Sequence, residues 1–344
     1  MALIASSLPV PNHEITIGGE VFNCRYLCAA DSSQFVDLHQ AIFKSTFNHS
    51  QYQWKYLDRG NPSLGLWNGA GKLIAHCGGL QRELCFESAP ILGLQITDVM
   101  VHPQWRAILT RRGPFYWVSY WLYQNQIGEQ AKAKVGYGFP SHRHLELAVK
   151  LRLLLDGGSI WQMQWATVRS SPTWFWYYRK LTAASSDWEN VLKSSWQRMQ
   201  KTSQDLCLGS RTFNELIWRY HQHPQHQHIY LGLKRPWSSQ IIGVAIIRYP
   251  DSNKNKLLWL DWIGPPSALR NALAMVRNYS YDCHGINAEV EAWGSEQIRQ
   301  ALKRTLQYSE QRVAGLGIPI QSCLSASEIT EKPWWWMAGD TDFL

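Results

Sequence analysis

Apolar and polar positions change their period along this chain in an order that repeats. Residues 21–47 pass from an extended stretch to Phe35, Leu38, Ile42 and Phe43 at helical spacing behind an Asp31-Ser-Ser cap, which predicts a strand and then a helix. Gln53–Pro62 reads as the end of a second helix closing in a turn. Leu64–Trp67, Leu73–Cys85 and Ile91–Val101 read as strands, with Gly69-Ala-Gly71 as a hairpin turn. Within the last of these, Leu94–Pro103 is an extended run stopped by proline. Gln104–Pro114 follows as a loop, Phe115–Ile127 as an amphipathic segment, Val135–Pro140 as a short strand and Arg143–Leu153 as a helical pattern.

Two further helical patterns, Trp174–Leu181 and Trp188–Leu206, fill the stretch from Ser170 to Ser210. After them the order begins again. Phe213–Tyr220 is helical; His228–Leu233, Gln240–Arg248 and Lys256–Ile263 are extended; Gly264-Pro-Pro266 is a loop. Ser267–Tyr279 is helical, Ile286–Ala292 extended and Glu296–Gln307 helical. Two copies of strand, proline-bearing loop, helix, strand and helix predict an α/β protein of two tandem halves, each a mixed central sheet flanked by helices. The expected division is 1–169, a helical connector at 170–209, and 210–344.

Charge changes this picture in one place. From Val101 to Arg152 there are eight lysines and arginines against Glu129 and Glu146, whereas the net +8 of the whole chain divides evenly about residue 170. An even spread without a polybasic tail argues against a nucleic-acid binder that works through a broad basic face. A strand feeding a basic, glycine-bearing loop at a helix start offers backbone N–H groups and a positive dipole end to a phosphorylated ligand. Solvated loop arginines are the plain alternative.

The residues Ile96-Thr-Asp-Val-Met-Val-His-Pro103, then Arg106 through Leu109-Thr-Arg-Arg-Gly-Pro-Phe115, then Gly138-Phe-Pro140 with Arg143 and Ala148 behind, resemble the GNAT superfamily of acyl-CoA-dependent N-acyltransferases. More narrowly, the chain is similar to bacterial tandem-domain members associated with surface-polysaccharide genes. The closing Trp334-Trp-Trp-Met-Ala-Gly-Asp-Thr-Asp342 resembles the ending of those proteins. The resemblance implies that the first half binds acetyl-CoA or another acyl-CoA as co-substrate. Met100 and Val101 would face the pantetheine arm. Arg106, Thr110, Arg111, Arg112, Gly113, Pro114 and Phe115 would wrap the diphosphate. The second copy's loop has no arginine before Arg270, so the second half is expected to have lost the cofactor.

Two departures bear on activity. The superfamily's glycine loop is reduced to Gly113, and Pro114 contributes no N–H. The segment Leu145–Leu155 lacks the tyrosine that protonates the leaving thiolate in many GNAT enzymes, and Ser141 stands where asparagine is expected. Cofactor binding is therefore better supported than turnover. The implied reaction is acyl transfer to an amine, an amino sugar or polysaccharide precursor being the acceptor that the resemblance suggests. A strand N–H near Val101 would stabilise the oxyanion. Asp98 is a general-base candidate with His102 or His142 as proton relay, against a structural, hydrogen-bonded Asp98. A catalytically degenerate acyl-CoA-binding scaffold and an aminoacyltransferase-like tandem protein using charged transfer RNA remain open.

The remaining features are quieter. Seven cysteines without metal-ligand pairing fit reduced thiols, the N-terminus has no basic start before an apolar core, and no run approaches the roughly 20 apolar residues of a span. A cytoplasmic protein is expected. Trp174-Phe-Trp-Tyr-Tyr178 and Trp334-Trp-Trp336 either line a sugar groove with Asp340 and Asp342 or fill the interface between halves, and interface is favoured. Four histidines in His221–His228, without cysteine or carboxylate, read as a loop rather than a metal site. No nucleophile-elbow glycines surround any serine, so nothing suggests a hydrolase.

Overall fold

A computed structural model describes residues 12–86, 89–106, 112–167, 177–235, 237–250, 253, 255–305, 307–323, 328 and 333–341. The first half runs β1 (His13–Ile17), β2 (Glu20–Tyr26), α1 (Ser32–Phe43), α2 (His49–Tyr52), β3 (Ser63–Trp67), β4 (Leu73–Phe86) and β5 (Ala89–Val101). It continues with α3 (Pro114–Gln126), β6 (Val135–Gly138), α4 (His142–Lys150) and β7 (Leu154–Ala166). The rest is β8 (Tyr177–Leu181), α5 (Trp188–Lys201), β9 (Cys207–Gly209), α6 (Phe213–Leu216), β10 (Ile229–Lys234), β11 (Ile241–Arg248) and β12 (Lys256–Ile263). It closes with α7 (Leu269–His284), β13 (Glu289–Ser295), α8 (Glu296–Leu302), β14 (Tyr308–Pro319) and β15 (Trp334–Trp335). Both α2 and α6 pass directly into a single π-helical turn, at Gln53–Leu57 and Ile217–His221.

One mixed sheet runs through the molecule in the order β1-β2-β3-β4-β5-β6-β14-β7-β13-β12-β11-β10-β8, with β9 on β4 and β15 on β9. Within this path, pairing is parallel at β5–β6 and again at β12–β13, the same place in each half, and antiparallel elsewhere. The centre is a reciprocal exchange. The first half's β7 inserts between β14 and β13, while the second half's β14 inserts between β6 and β7. Each half thus completes its sheet with a strand from the other. A buried apolar cluster of Leu84, Tyr137, Phe139, Ile160, Leu316, Ile318, Trp334 and Trp336 joins them.

Several expectations are corrected. The helical pattern at Trp174–Leu181 is strand where it falls within the described residues: Tyr177–Leu181 pairs antiparallel with Lys234–Tyr230, so sheet completion overrides the apparent stripe, and residues 174–176 lie outside the described set. The helix expected over Trp188–Leu206 ends at Lys201, and the one over Glu296–Gln307 ends at Leu302. The two exchanged strands are additions to the sequence reading. Glycines break their alternation, and Gly315 among them belongs to the packing, since a Cβ there would collide with Leu145 of α4. No described helix is long and apolar enough to cross a membrane.

Candidate functional site

The parallel pair β5–β6 is hydrogen-bonded only from Gly93↔Val135 to Ile96↔Gly138. Beyond it the strands part, and Thr97–Val101 on one side and Phe139–Ser141 on the other line a cavity of about 1620 Å³. The parting begins at a bulge. Thr97 pairs with Gly78 and Met100 with His76, so Asp98 and Val99 together face Cys77. Asp98 takes the extra residue's twist at φ 46°, a left-handed conformation that a short polar side chain tolerates best.

Four side chains hold this bulge. Lys55 Nζ lies 2.8 Å from Asp98 Oδ2, Tyr56 donates its hydroxyl to the same oxygen at 2.5 Å, and His39 Nε2 stands 3.7 Å from Oδ1. His76, fully buried, bonds the Asp98 carbonyl through Nδ1 and Ser63 Oγ through Nε2, both at 2.8 Å. The carbonyl can only accept, so Nδ1 carries the proton and Nε2 accepts from Ser63. Burial pushes His76 down to about 4, which keeps it neutral. Burial alone would raise the Asp98 carboxyl, but the Lys55 ammonium and then His39 outweigh it and hold the group well below the carboxylate range. Gly78 is required here, because a Cβ would strike the Tyr56 hydroxyl. An acid held that low is a poor proton acceptor near neutrality, so Asp98 is suited to orienting a base. His39 is the imidazole beside it, and it also lines the cavity.

The opposite wall is the start of α3. Gly113 is its N-cap and Pro114 its first residue, so the missing proline N–H costs nothing and the N–H groups of Phe115 and Tyr116 have no partner within the helix. Gly113 through Tyr116 line the cavity, as do Met100, Val101 and Arg106. Arg106 also donates Nε to the Val101 carbonyl at 2.8 Å, tying the loop back to the strand. The exposed Arg112 sits with its guanidinium carbon 5.2 Å from the Tyr116 ring centre. Thr110 and Arg111 fall outside the described residues. From α4 come Arg143, His144 and Lys150.

The structure therefore gathers Asp98, Met100, Val101, Arg106, Gly113, Pro114 and Phe115 around one cavity. His102 and His142 are not among its described lining residues. Trp334 and Asp340 lie elsewhere, buried in the packed seam: Trp334 stacks on Trp336 at 5.4 Å, and Asp340 receives Arg211 Nη2 at 2.5 Å and the Met337 N–H at 3.0 Å. Asp342 lies outside the described residues. Among the described residues no group of three histidine, cysteine or acidic side chains is placed to hold a metal ion.

Lys55, Tyr56, His39 and His76 escaped the sequence reading, although a signal was present. Trp54-Lys-Tyr56 recurs as Trp218-Arg-Tyr220, each on its π-helical turn. The two indoles stack at 4.7 Å, and each donates Nε1 to the other's carbonyl, at 3.0 and 3.4 Å. Tyr220 donates to Asp261 at 3.0 Å as Tyr56 does to Asp98. Asp261 and Asp98 each lie two residues beyond the last parallel pair of their half, Trp259↔Ala292 and Ile96↔Gly138.

No family model matches the chain, and no curated protein matches it. Solved structures do. A conserved Enterococcus faecalis V583 protein described as a probable N-acyltransferase shares 11% identity at a TM-score of 0.63, over 88% of this chain and 73% of that one. A tandem GNAT protein from the clavulanic acid biosynthesis pathway shares 12% at 0.56, over 86% and 98%. The fold is that of tandem GNAT proteins. A GCN5-related N-acetyltransferase from Kribbella flavida matches at 0.58 with 12% identity, over 88% of this chain and 72% of its own.

Proposed function

We propose that this protein is an acyl-CoA-dependent N-acyltransferase, acetyl being the default acyl group, whose first half (1–169) holds the cofactor and whose second half (210–344) walls the acceptor. The observation that carries this reading is the cavity between β5 and β6. It opens at a bulged strand, meets the first turn of α3, whose Phe115 and Tyr116 N–H groups have no partner within the helix, and at about 1620 Å³ exceeds the roughly 300–1,000 Å³ of a site for one small ligand. Room for two substrates is what a direct transfer needs.

The residues present fit a coenzyme A. Arg106, Arg112 and the first turn of α3 would meet the diphosphate, and Met100 and Val101 the pantetheine amides. The bound cofactor supplies a thioester carbonyl. His39 takes the proton of the attacking amine, with Asp98 holding the imidazole in place and Lys55 holding Asp98 ionised. A β5 N–H near Val101 receives the carbonyl oxygen as it gains charge. His39, carrying that proton, would be placed to return it to the thiolate released as the amine displaces it from the acyl group. The acceptor is an amine, with an amino sugar as one candidate.

Calorimetry with acetyl-CoA and a thiol-release assay across an amine panel test the proposal. One acetyl-CoA per chain is expected, and His39→Gln should cut thiol release about 100-fold with cofactor affinity intact. No binding at millimolar acetyl-CoA would remove the reading. The absence of a tyrosine on α4 favours a second one, an acyl-CoA binder without turnover, which tight binding and no thiol release from any amine would select.

A further inference from the structure

The cavity does not end in the first half. Its far end is walled by the π-helical turn that carries Trp218-Arg-Tyr220, by the histidine-rich loop after it, and by β11. The described residues there include two guanidinium groups, Arg219 and Arg248, and three imidazoles, His223, His226 and His228. Across the whole described lining the acidic side chains are Asp98, committed to Lys55, and Glu146 on α4. The part of the wall that the second half supplies is thus cationic and has no acidic side chain among the described residues.

His223 and His228 are arranged as neutral hydrogen-bonding groups. His223 Nδ1 accepts the N–H groups of Gln225 and His226, both at 3.2 Å, which places the proton of the neutral ring on Nε2 as a donor. Its ring is stacked on His226 at 4.8 Å and lies 4.7 Å from Trp54, so it is held rigidly. Burial, then the neighbouring histidines and arginines, push it down to about 3; burial also brings His228 down to about 4. Fixed positive charge here is carried by Arg219 and Arg248. Arg219 is fixed by donating Nη2 to the Thr341 carbonyl at 2.6 Å, and Arg248 is buried. Both guanidinium groups line this wall, and an anion arriving there gains charge-assisted hydrogen bonds from them.

We propose that the acceptor amine carries an anionic group, a carboxylate or a phosphate, and that Arg219, Arg248 and His223 bind it while the amine points toward His39. This deepens the N-acyltransferase reading and rests on it. Charge in the second half would then select among amines, while the first half performs the transfer.

Matched pairs of acceptors test it in the thiol-release assay with acetyl-CoA: an α-amino acid against its amide, and glucosamine 6-phosphate against glucosamine. One anionic member is expected to exceed its neutral partner at least 30-fold in kcat/KM, and which pair responds tells carboxylate from phosphate. Arg219→Met and Arg248→Met, each checked by thermal unfolding, should raise KM for that anionic acceptor 10-fold or more while leaving acetyl-CoA affinity unchanged. The same pairs are also titrated calorimetrically into coenzyme A-saturated protein, where anion preference is read without turnover. Failure of acetyl-CoA to bind would overturn the enzyme reading and this inference together. Acetyl-CoA binding with equal treatment of both members of each pair, in turnover and calorimetry alike, would overturn the anionic acceptor alone.

Discussion

The two halves build the same device and use it differently. Each has a π-helical turn carrying a tryptophan, a basic residue and a tyrosine, a strand that departs from its parallel neighbour, and an aspartate just past the departure that receives the tyrosine hydroxyl. In the first half the departure opens on the cavity. In the second it is filled: the segment after Pro333 lies against β12 and β13, the Ser295 N–H bonds the Trp336 carbonyl, and Gly294 bridges Met337. Arg211 then enters from the side, bonding Asp261 at 3.1 Å and Asp340 at 2.5 Å. Even Gly339 serves closure, since a Cβ there would strike the Tyr220 hydroxyl. A strand opening is a binding site only while the chain leaves it empty, and this difference gives the physical ground for expecting one acyl-CoA per chain.

The sharpest test removes the cation from each copy. Arg211→Met takes the nearest cation from two carboxylates at 2–3% side-chain exposure, leaving Asp261 only the Tyr220 hydroxyl and the Trp262 N–H and Asp340 the more distant Arg82 at 3.9 Å, and burial already raises the Asp261 carboxyl. Its expected cost is about 3–5 kcal/mol in chemical denaturation. Lys55→Met leaves one carboxylate that keeps Tyr56 and borders a cavity water can enter, so about 2 kcal/mol is expected. Equal losses would mean that the first site is as sealed as the second.

Acid should expose a second difference, since His76 braces the bulge of the open site alone. Its folded value, about 4, lies below the 6.5 of the free side chain, so the unfolded chain binds the extra proton between these values. Stability from His76 is complete above pH 6.5 and is lost as pH falls toward 4, about 3 kcal/mol in all at about 1.4 kcal/mol per unit. His76→Gln should flatten that part of the pH–stability curve. His223 and His228 titrate in the same direction, so an unchanged slope in the variant would assign the acid sensitivity to the histidine loop instead.

The tandem α/β architecture was legible because the order of elements repeats and periodicity changes cleanly at most boundaries. That one cavity would gather Met100, Val101, Arg106 and Gly113–Phe115 was legible as well, since they follow one another along a strand, loop and helix start. What stayed hidden was nonlocal. Lys55, His39 and His76 meet Asp98 from three separate elements, and apart from the recurrence of Trp54-Lys-Tyr56 as Trp218-Arg-Tyr220 nothing in their own neighbourhoods marks them. Asp340 looked like a ligand group because acidic residues beside tryptophans suit sugars; its partner Arg211 lies 129 residues away and turns it inward. The exchanged strands β7 and β14 are obscured by their glycines, of which Gly315 makes room for Leu145 of α4.

The smallest effect, and the most specific to the pseudo-symmetry, belongs to Trp54 and Trp218. These side chains meet face to face at 18° between planes, with reciprocal indole-to-carbonyl bonds, so each half supplies the same group to the other. Single Trp→Phe substitutions keep a ring in the stack and remove one donor each. A net loss of about 1 kcal/mol apiece is expected, because a single neutral hydrogen bond exchanges with water on unfolding. If the pair acts as one unit, the double variant should deviate from the sum by about 0.5–1.5 kcal/mol, the range for coupled aromatic contacts. The Trp54 change should in addition weaken acceptor binding slightly, since its ring also supports His223 at 4.7 Å, whereas Trp218→Phe should leave it untouched. Strict additivity, with both variants treating acceptor alike, would reduce the dyad to two independent packing residues and leave the tail alone to explain why one half is open and the other closed.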